Sequence, residues 1–221
     1  MTELEAIRAR HSVRQYLNEP LKPDELAALR AEMDACNKES GLHIQLVANE
    51  PKAFDGAMAR YGKFSGVTNY FALIGKADPD LQEKCGYWGE RLVLKAQMMG
   101  LNTCWVALTF SKVKSAYTLG AGEKLAAVIA LGHGATQGVP HKSRTMDEVA
   151  RTDGPVPDWF KAGMEAVLLA PTAVNQQKFT FTLENGKVSA RSGRAFYAKI
   201  DLGIAKYHFE IGAGKEYFQW K

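Results

Sequence analysis

The sequence is poor in the features that mark secreted, membrane-spanning or metal-stapled proteins. It holds three cysteines, Cys36, Cys85 and Cys104, widely spaced and without a Cys-x-x-Cys. An odd, scattered set argues against a disulfide framework and a thiolate zinc site, and fits the reducing cytoplasm. No apolar run approaches the ~20 residues that a membrane-spanning helix needs. The opening Met1-Thr2-Glu3-Leu4-Glu5 is acidic and lacks an apolar stretch, so no signal peptide is expected. Charge of one sign is not gathered in blocks: 28 Lys and Arg against 24 Asp and Glu leave +4, scattered along the chain. Such a balance suits a small anionic ligand better than a nucleic-acid surface. The five histidines show no metal-ligand spacing, so no metal is expected. Gly132-His133-Gly134 lacks the dinucleotide-binding pattern, so no Rossmann site is expected either.

What is present suffices for a core. A chain of 221 residues with 46% hydrophobic content can bury one, and a single domain over 1–221 is expected. Thr2 and Glu5 form a capping box that starts a helix ending near Arg10. Pro23 and Asp24 open a second, with Leu26, Leu29, Met33 and Cys36 at helical spacing. His43 to Ala48 alternates as a strand. Asn49 to Gly66 reads as a long loop, of the kind that often forms a lid or binding loop, with a helical piece at Ala57 to Tyr61. Tyr70 to Ile74 is a compact apolar strand. Asp80 to Met99 is the longest helix, capped by Gly100.

Further on, Thr103 to Leu108 and Lys124 to Leu131 read as strands, and Lys112 to Tyr117 as a helical turn. Asp158 is read as capping a helix with Phe160, Met164, Val167 and Leu168 inward. Phe179 to Leu183, the turn signal Asn185-Gly186 and Val188 to Ala190 form a hairpin. A last helix covers Leu202 to Ile211. Short strands interleaved with helices and one clear hairpin give an α+β class with a mixed or antiparallel sheet. Residues 24–48 and 158–183 both read helix, loop, strand, which suggests an internal pseudo-repeat.

Candidate site residues begin with Arg10-His11-Ser12-Val13-Arg14. Arginine forks and a small hydroxyl suit a phosphate. A second basic cluster is His141-Lys142-Ser143-Arg144. In an extended segment Lys142 and Arg144 would face the same way. A polar run, Ala170-Pro171-Thr172-Ala173-Val174-Asn175-Gln176-Gln177, follows the helix that starts at Asp158.

These stretches together resemble the FMN-dependent nitroreductase family. Ala6 to Arg14 is similar to its opening helix and Arg-x-Ser-x-Arg/Lys segment. Ala170 to Phe179 is similar to its Ala-Pro-Ser-x-x-Asn-x-Gln-Pro-Trp. Gly86 to Trp105 is similar to its central helix and Gly-Leu-x-x-Cys-Trp strand, and Leu131 to Val149 to its closing Gly-Tyr and Lys-x-Arg-x-x-x-Glu-Val. The resemblance covers most of residues 4 to 183. Two departures stand out. The Ala-Pro-Thr motif follows the later helix, while the second helix ends in Asn37-Lys38-Glu39-Ser40-Gly41. Lys178 and Phe179 replace its Pro and Trp.

The resemblance implies a nitroreductase-like fold and an FMN-dependent oxidoreductase. NADH or NADPH would reduce the flavin, which would then reduce a nitroaromatic, quinone or related small acceptor. Arg10, Ser12, Lys142 and Arg144 would hold the phosphate and ribityl chain, with His11 and Pro171 in the same segments. Arg14 would sit near the flavin pyrimidine. Thr172, Asn175 and Gln177 would hydrogen-bond ring or ribityl hydroxyls. Thr103, Cys104 and Trp105 would offer main-chain donors. No catalytic side chain is required, because the flavin carries the hydride chemistry. With both kinds of segment on one chain, a monomeric pseudo-dimer is expected ahead of a homodimer. An FMN storage or sensing protein is the alternative reading.

Overall fold

The computed structural model describes residues Met1–Lys221. In order, the elements are α1 (Glu3–Ala9), α2 (Pro23–Ser40), β1 (Gln45–Val47), α3 (Ala57–Tyr61), β2 (Asn69–Lys76), α4 (Leu81–Met98), β3 (Asn102–Val106), β4 (Glu123–Gly132), α5 (Met146–Val149), β5 (Ala150–Thr152), α6 (Asp158–Val167), β6 (Phe179–Glu184), β7 (Lys187–Ser192) and α7 (Ala198–Ala213). The chain forms two compact units. One comprises Arg10–Leu81 and Arg91–Pro140; the other comprises Met1–Ala9, Gln82–Glu90 and His141–Lys221.

The first unit is built on a four-stranded, wholly antiparallel sheet in the order β1-β2-β4-β3. Strand β2 is buried at every position from Asn69 to Gly75. Both its faces are covered, so its sequence is continuously apolar instead of alternating. Helix α2 starts where Pro23 predisposes it. The Glu25 side chain turns back to accept the Lys22 N–H (2.8 Å), and Gly41 ends the helix in the left-handed conformation. The long stretch after β1 does not stand off as a lid. Ala53, Phe54, Ala59 and Phe64 are buried in the core, with the Phe54 ring 5.2 Å from Phe64 and 5.9 Å from Tyr70. Of its large apolar side chains, Met58 and Tyr61 point out, Tyr61 82% exposed. Lys112 to Tyr117 contains a single turn, in which the Ala116 N–H donates to the Val113 carbonyl (3.0 Å), and Tyr117 is drawn into the same core.

The second unit carries a three-stranded sheet, β5 parallel to β6 and β6 antiparallel to β7. Asn185 and Gly186 both have positive φ (51° and 73°), as a two-residue hairpin turn requires. Helix α6 begins at Asp158 itself; Pro157 is the capping position and no side chain caps the helix. The last helix is longer than its apolar stripe suggested and starts at Ala198. Helix α5 and strand β5 are too short to leave a periodic signal, although Thr145 and Glu148 form a capping box at the start of α5.

Phe209 on α7 is the hub of this unit. Its ring lies 5.5 Å from Phe160, 5.2 Å from Phe181, 5.0 Å from Phe218 and 5.6 Å from Trp220. Beside it, His208 is fully buried, with Nδ1 3.0 Å from the Ala166 carbonyl and Nε2 2.9 Å from Glu90 Oε1. Helix α7 meets the first turns of α4 through two glycines in a reciprocal contact. A Cβ on Gly203 would lie 2.0 Å from the Glu83 carbonyl oxygen, and one on Gly86 would lie 2.1 Å from that of Ile200. Truncating the hub should therefore be costly. Phe209→Ala is expected to lower unfolding free energy by ~3–5 kcal/mol. Chemical denaturation followed by tryptophan fluorescence measures it, and a loss under about 1 kcal/mol would show that the hub is dispensable.

Candidate functional site

Two groups of predicted residues are brought together, one in each unit. In the sheet unit, the segment after α1 runs beside β3 as an added piece of strand. Ser12 pairs with Thr103 in parallel, and the Val13 N–H donates to the Thr103 carbonyl (3.0 Å). The segment is held at further points along its length. Ser65 N–H donates to the Arg14 carbonyl, Tyr16 N–H to that of Ser65, and Ala135 N–H to that of Gln15. The Tyr16 hydroxyl closes the turn by donating to the Val13 carbonyl (2.8 Å). Val13 and Tyr16 are buried, while His11 and Ser12 are half-buried and Arg14 is exposed. Arg10 itself is buried.

Thr103, Cys104 and Trp105 do not serve alike. Because the Thr103 carbonyl faces Val13, strand alternation turns the main-chain groups of Trp105 to that same edge and those of Cys104 to β4. The expected Cys104 main-chain donor is thus engaged in the sheet. The Cys104 thiol is buried close to Arg14 and Arg10 and hydrogen-bonded with Ser12. Burial pushes it up from its ordinary pKa, and the two cations and the Ser12 bond only partly oppose that rise. It is a neutral thiol packed under the arginine segment, not a reactive thiolate.

In the other unit, Lys142, Ser143 and Arg144 lie in irregular chain. Nothing in secondary structure fixes them; side chains of the polar run do. Gln177, only 3% exposed, accepts the Arg144 N–H at Oε1 (2.8 Å) and donates from Nε2 to the Lys142 carbonyl (2.9 Å) and to Asn175 Oδ1 (2.9 Å). Asn175 Nδ2 donates to the same Lys142 carbonyl (2.9 Å). Ser143 Oγ donates to the Leu168 carbonyl (2.7 Å). Every polar atom of the Gln177 amide is engaged within the chain. The Gln177 amide braces the basic segment. The Lys142 and Arg144 side chains are exposed and form no ion pair, so their charges are available to an anion. Glu148 feels both, and its carboxyl is lowered by its bonds to Thr145 and, to a lesser degree, by these two cations.

The polar run adopts an unusual backbone. Val174 (φ 47°), Asn175 (55°) and Gln177 (46°) are all left-handed, around a single 3-10 turn at Ala173–Asn175. For β-branched Val174 that conformation is strained. Its side chain is 96% exposed and gains nothing from packing. Pro171 is buried, and Thr172 Oγ1 accepts the Gln177 N–H (3.1 Å) to close the loop. One residue with no sequence signal holds the loop from outside. Asp201 on α7 accepts the Ala173 N–H (2.9 Å) and Gln176 Nε2 (2.6 Å). Asp201 is 2% exposed, and burial raises its carboxyl to about 6 against the pull of those two bonds.

The comparisons agree with this architecture. A solved structure from Thermotoga maritima, described as a putative nitroreductase, superposes with a TM-score of 0.66 at 22% identity over 98% of this chain and 85% of that one. A nitroreductase family protein from Streptococcus pneumoniae gives 0.53 at 14% identity, over 67% and 98% of the two chains. A putative nitroreductase in complex with FMN from Desulfovibrio desulfuricans gives 0.51 at 19%, over 71% and 99%. The sequence matches no curated protein. The fold is that of the nitroreductases, which are oxidoreductases by class. The family model described as "Putative TM nitroreductase" matches residues 3–213, and the chain belongs to that family.

Two stability measurements test the loop. Replacing Val174 by glycine removes a strained φ without removing a contact, so Val174→Gly is expected to raise stability by up to ~1–2 kcal/mol, where an ordinary exposed residue would lose some. A clear loss in denaturant unfolding would contradict this. The raised Asp201 carboxyl makes a second prediction. Between pH 3.8 and about 6 the folded protein binds a proton that the unfolded chain has lost, so this group's contribution falls as pH rises through that window. The stability of Asp201→Asn relative to the native protein should therefore climb from about pH 4 to about pH 6 and level off above. A flat difference would mean that the carboxyl is not perturbed.

Proposed function

We propose that the protein is an FMN-dependent oxidoreductase that uses NADH or NADPH to reduce a nitroaromatic, quinone or related small acceptor. The observation that carries this reading is the pair of unpaired cations, Lys142 and Arg144, on a segment whose main chain is braced by Asn175 and Gln177. An irregular segment held that firmly, with its charges left open, fits a phosphate ester. Family membership and the FMN held by the Desulfovibrio desulfuricans relative support the choice of flavin.

The chemistry that bound FMN would supply is hydride transfer between a nicotinamide and the acceptor. The chain's own residues do the rest. Lys142 and Arg144 neutralise the phosphate. Arg10, His11, Ser12 and Arg14 belong to the segment along β3, and Arg14 is an exposed cation of the kind that would stabilise negative charge on a reduced flavin. Thr172 and Asn175 shape the loop. We read the active species as one chain, because both kinds of segment occur on it, and place it in the cytoplasm, where three buried cysteines that form no disulfide stay reduced. No helix is long and apolar enough to cross a membrane. Lys178 and Phe179, in place of the family's Pro and Trp, favour one competing reading, a flavin store or sensor without turnover.

The purified protein should be yellow and release FMN, and Arg144→Ala should weaken FMN binding at least ~10-fold, as loss of a charge-assisted bond implies. A protein that neither carries nor takes up FMN would overturn the reading. Nicotinamide oxidation with a nitroaromatic acceptor separates reductase from store. A holoprotein mass of two chains that sheds flavin on dissociation would overturn the single-chain reading.

A further inference from the structure

The Asp201 carboxylate is the least expected group in its unit. It is buried in the first turn of α7 with no cation beside it, and its side chain is held by two hydrogen bonds. A buried carboxylate costs stability unless its hydrogen bonds are met. Both bonds go to the strained loop. They fix the main chain of Ala173, which precedes left-handed Val174 and Asn175, and the side chain of Gln176, which lies between left-handed Asn175 and Gln177. Gln176 is clamped further by donating to the Phe196 carbonyl (2.9 Å). From the loop so held, Asn175 and Gln177 reach the Lys142 carbonyl and the Arg144 N–H. Hydrogen bonds and the loop's own backbone thus link Asp201, through Ala173, Asn175, Gln176 and Gln177, to the main chain at Lys142 and Arg144. Three left-handed residues in four do not persist unless something outside the loop over-determines them.

We propose that Asp201 is a positioning residue for phosphate recognition: it holds the Thr172–Gln177 loop in the conformation that sets Lys142 and Arg144. The inference rests on the flavin reading above and deepens it. Asp201 touches no ligand, and it acts only on the part of the ligand that Lys142 and Arg144 contact.

The test compares FMN with riboflavin, which lacks the phosphate, by quenching of flavin fluorescence. The native protein should prefer FMN. Asp201→Ala should lose about tenfold or more in FMN affinity while riboflavin affinity stays within about threefold, so that the preference collapses. Asp201→Asn keeps one acceptor and should fall between. If Asp201→Ala does not fold by circular dichroism, Asp201→Asn carries the test on the same criterion. Equal losses for FMN and riboflavin, or no loss for either, would overturn the positioning role while leaving the flavin reading intact. A native protein that binds neither flavin would overturn the flavin reading and the inference with it.

Discussion

The Gln177 side-chain amide is the constraint on which the basic segment depends. Lys142 to Arg144 lies in neither helix nor strand, and a segment of that kind has no internal reason to keep one conformation. One buried amide supplies the reason by accepting from the Arg144 N–H and donating to the Lys142 carbonyl. The amide can do so only because its own backbone is left-handed, which sets it apart from the strand β6 that begins two residues later. The strain in the loop is the counterpart of the order in the segment it braces.

The other segment reaches order by a different route. Arg10 to Tyr16 borrows regularity from the sheet by lying along β3, and its buried members, Val13 and Tyr16, hold it against the core. Main-chain bonds and apolar burial fix the arginine segment. Side-chain amides and a buried carboxylate fix the lysine–arginine segment. The first arrangement is cheap and robust, because both kinds of interaction recur throughout any sheet protein. The second carries buried polar groups that are each costly if unmet, so it is sensitive to single substitutions.

Much of the fold was legible. The capping box at Thr2 and Glu5, the glycine stops at Gly41 and Gly100, the Asn185-Gly186 turn and the apolar run of β2 all have local causes, and each falls where those causes place it. The misreadings have local causes too. Asp158 looks like a cap, but Pro157 occupies that position. The start of α7 was missed because Ala198 to Asp201 lies before the clear apolar stripe, and so Asp201 was not seen as helical at all.

By itself, the sequence determined which residue types were available: two arginines around a serine, a Lys-x-Arg, and a Pro-Thr-Ala-Val-Asn-Gln-Gln run in a chain of the nitroreductase family. Local propensity and motif spacing carry that much, because both depend on neighbours in the chain. Only the tertiary structure decided what those residues do. It turned the Cys104 main chain into the sheet, made Gln177 a brace of the basic segment, and set Asp201 under the loop from 25 residues away in sequence from Gln176. Such roles depend on burial and on partners brought near by folding, and no local pattern records them, since a buried amide and an exposed one are written with the same letter.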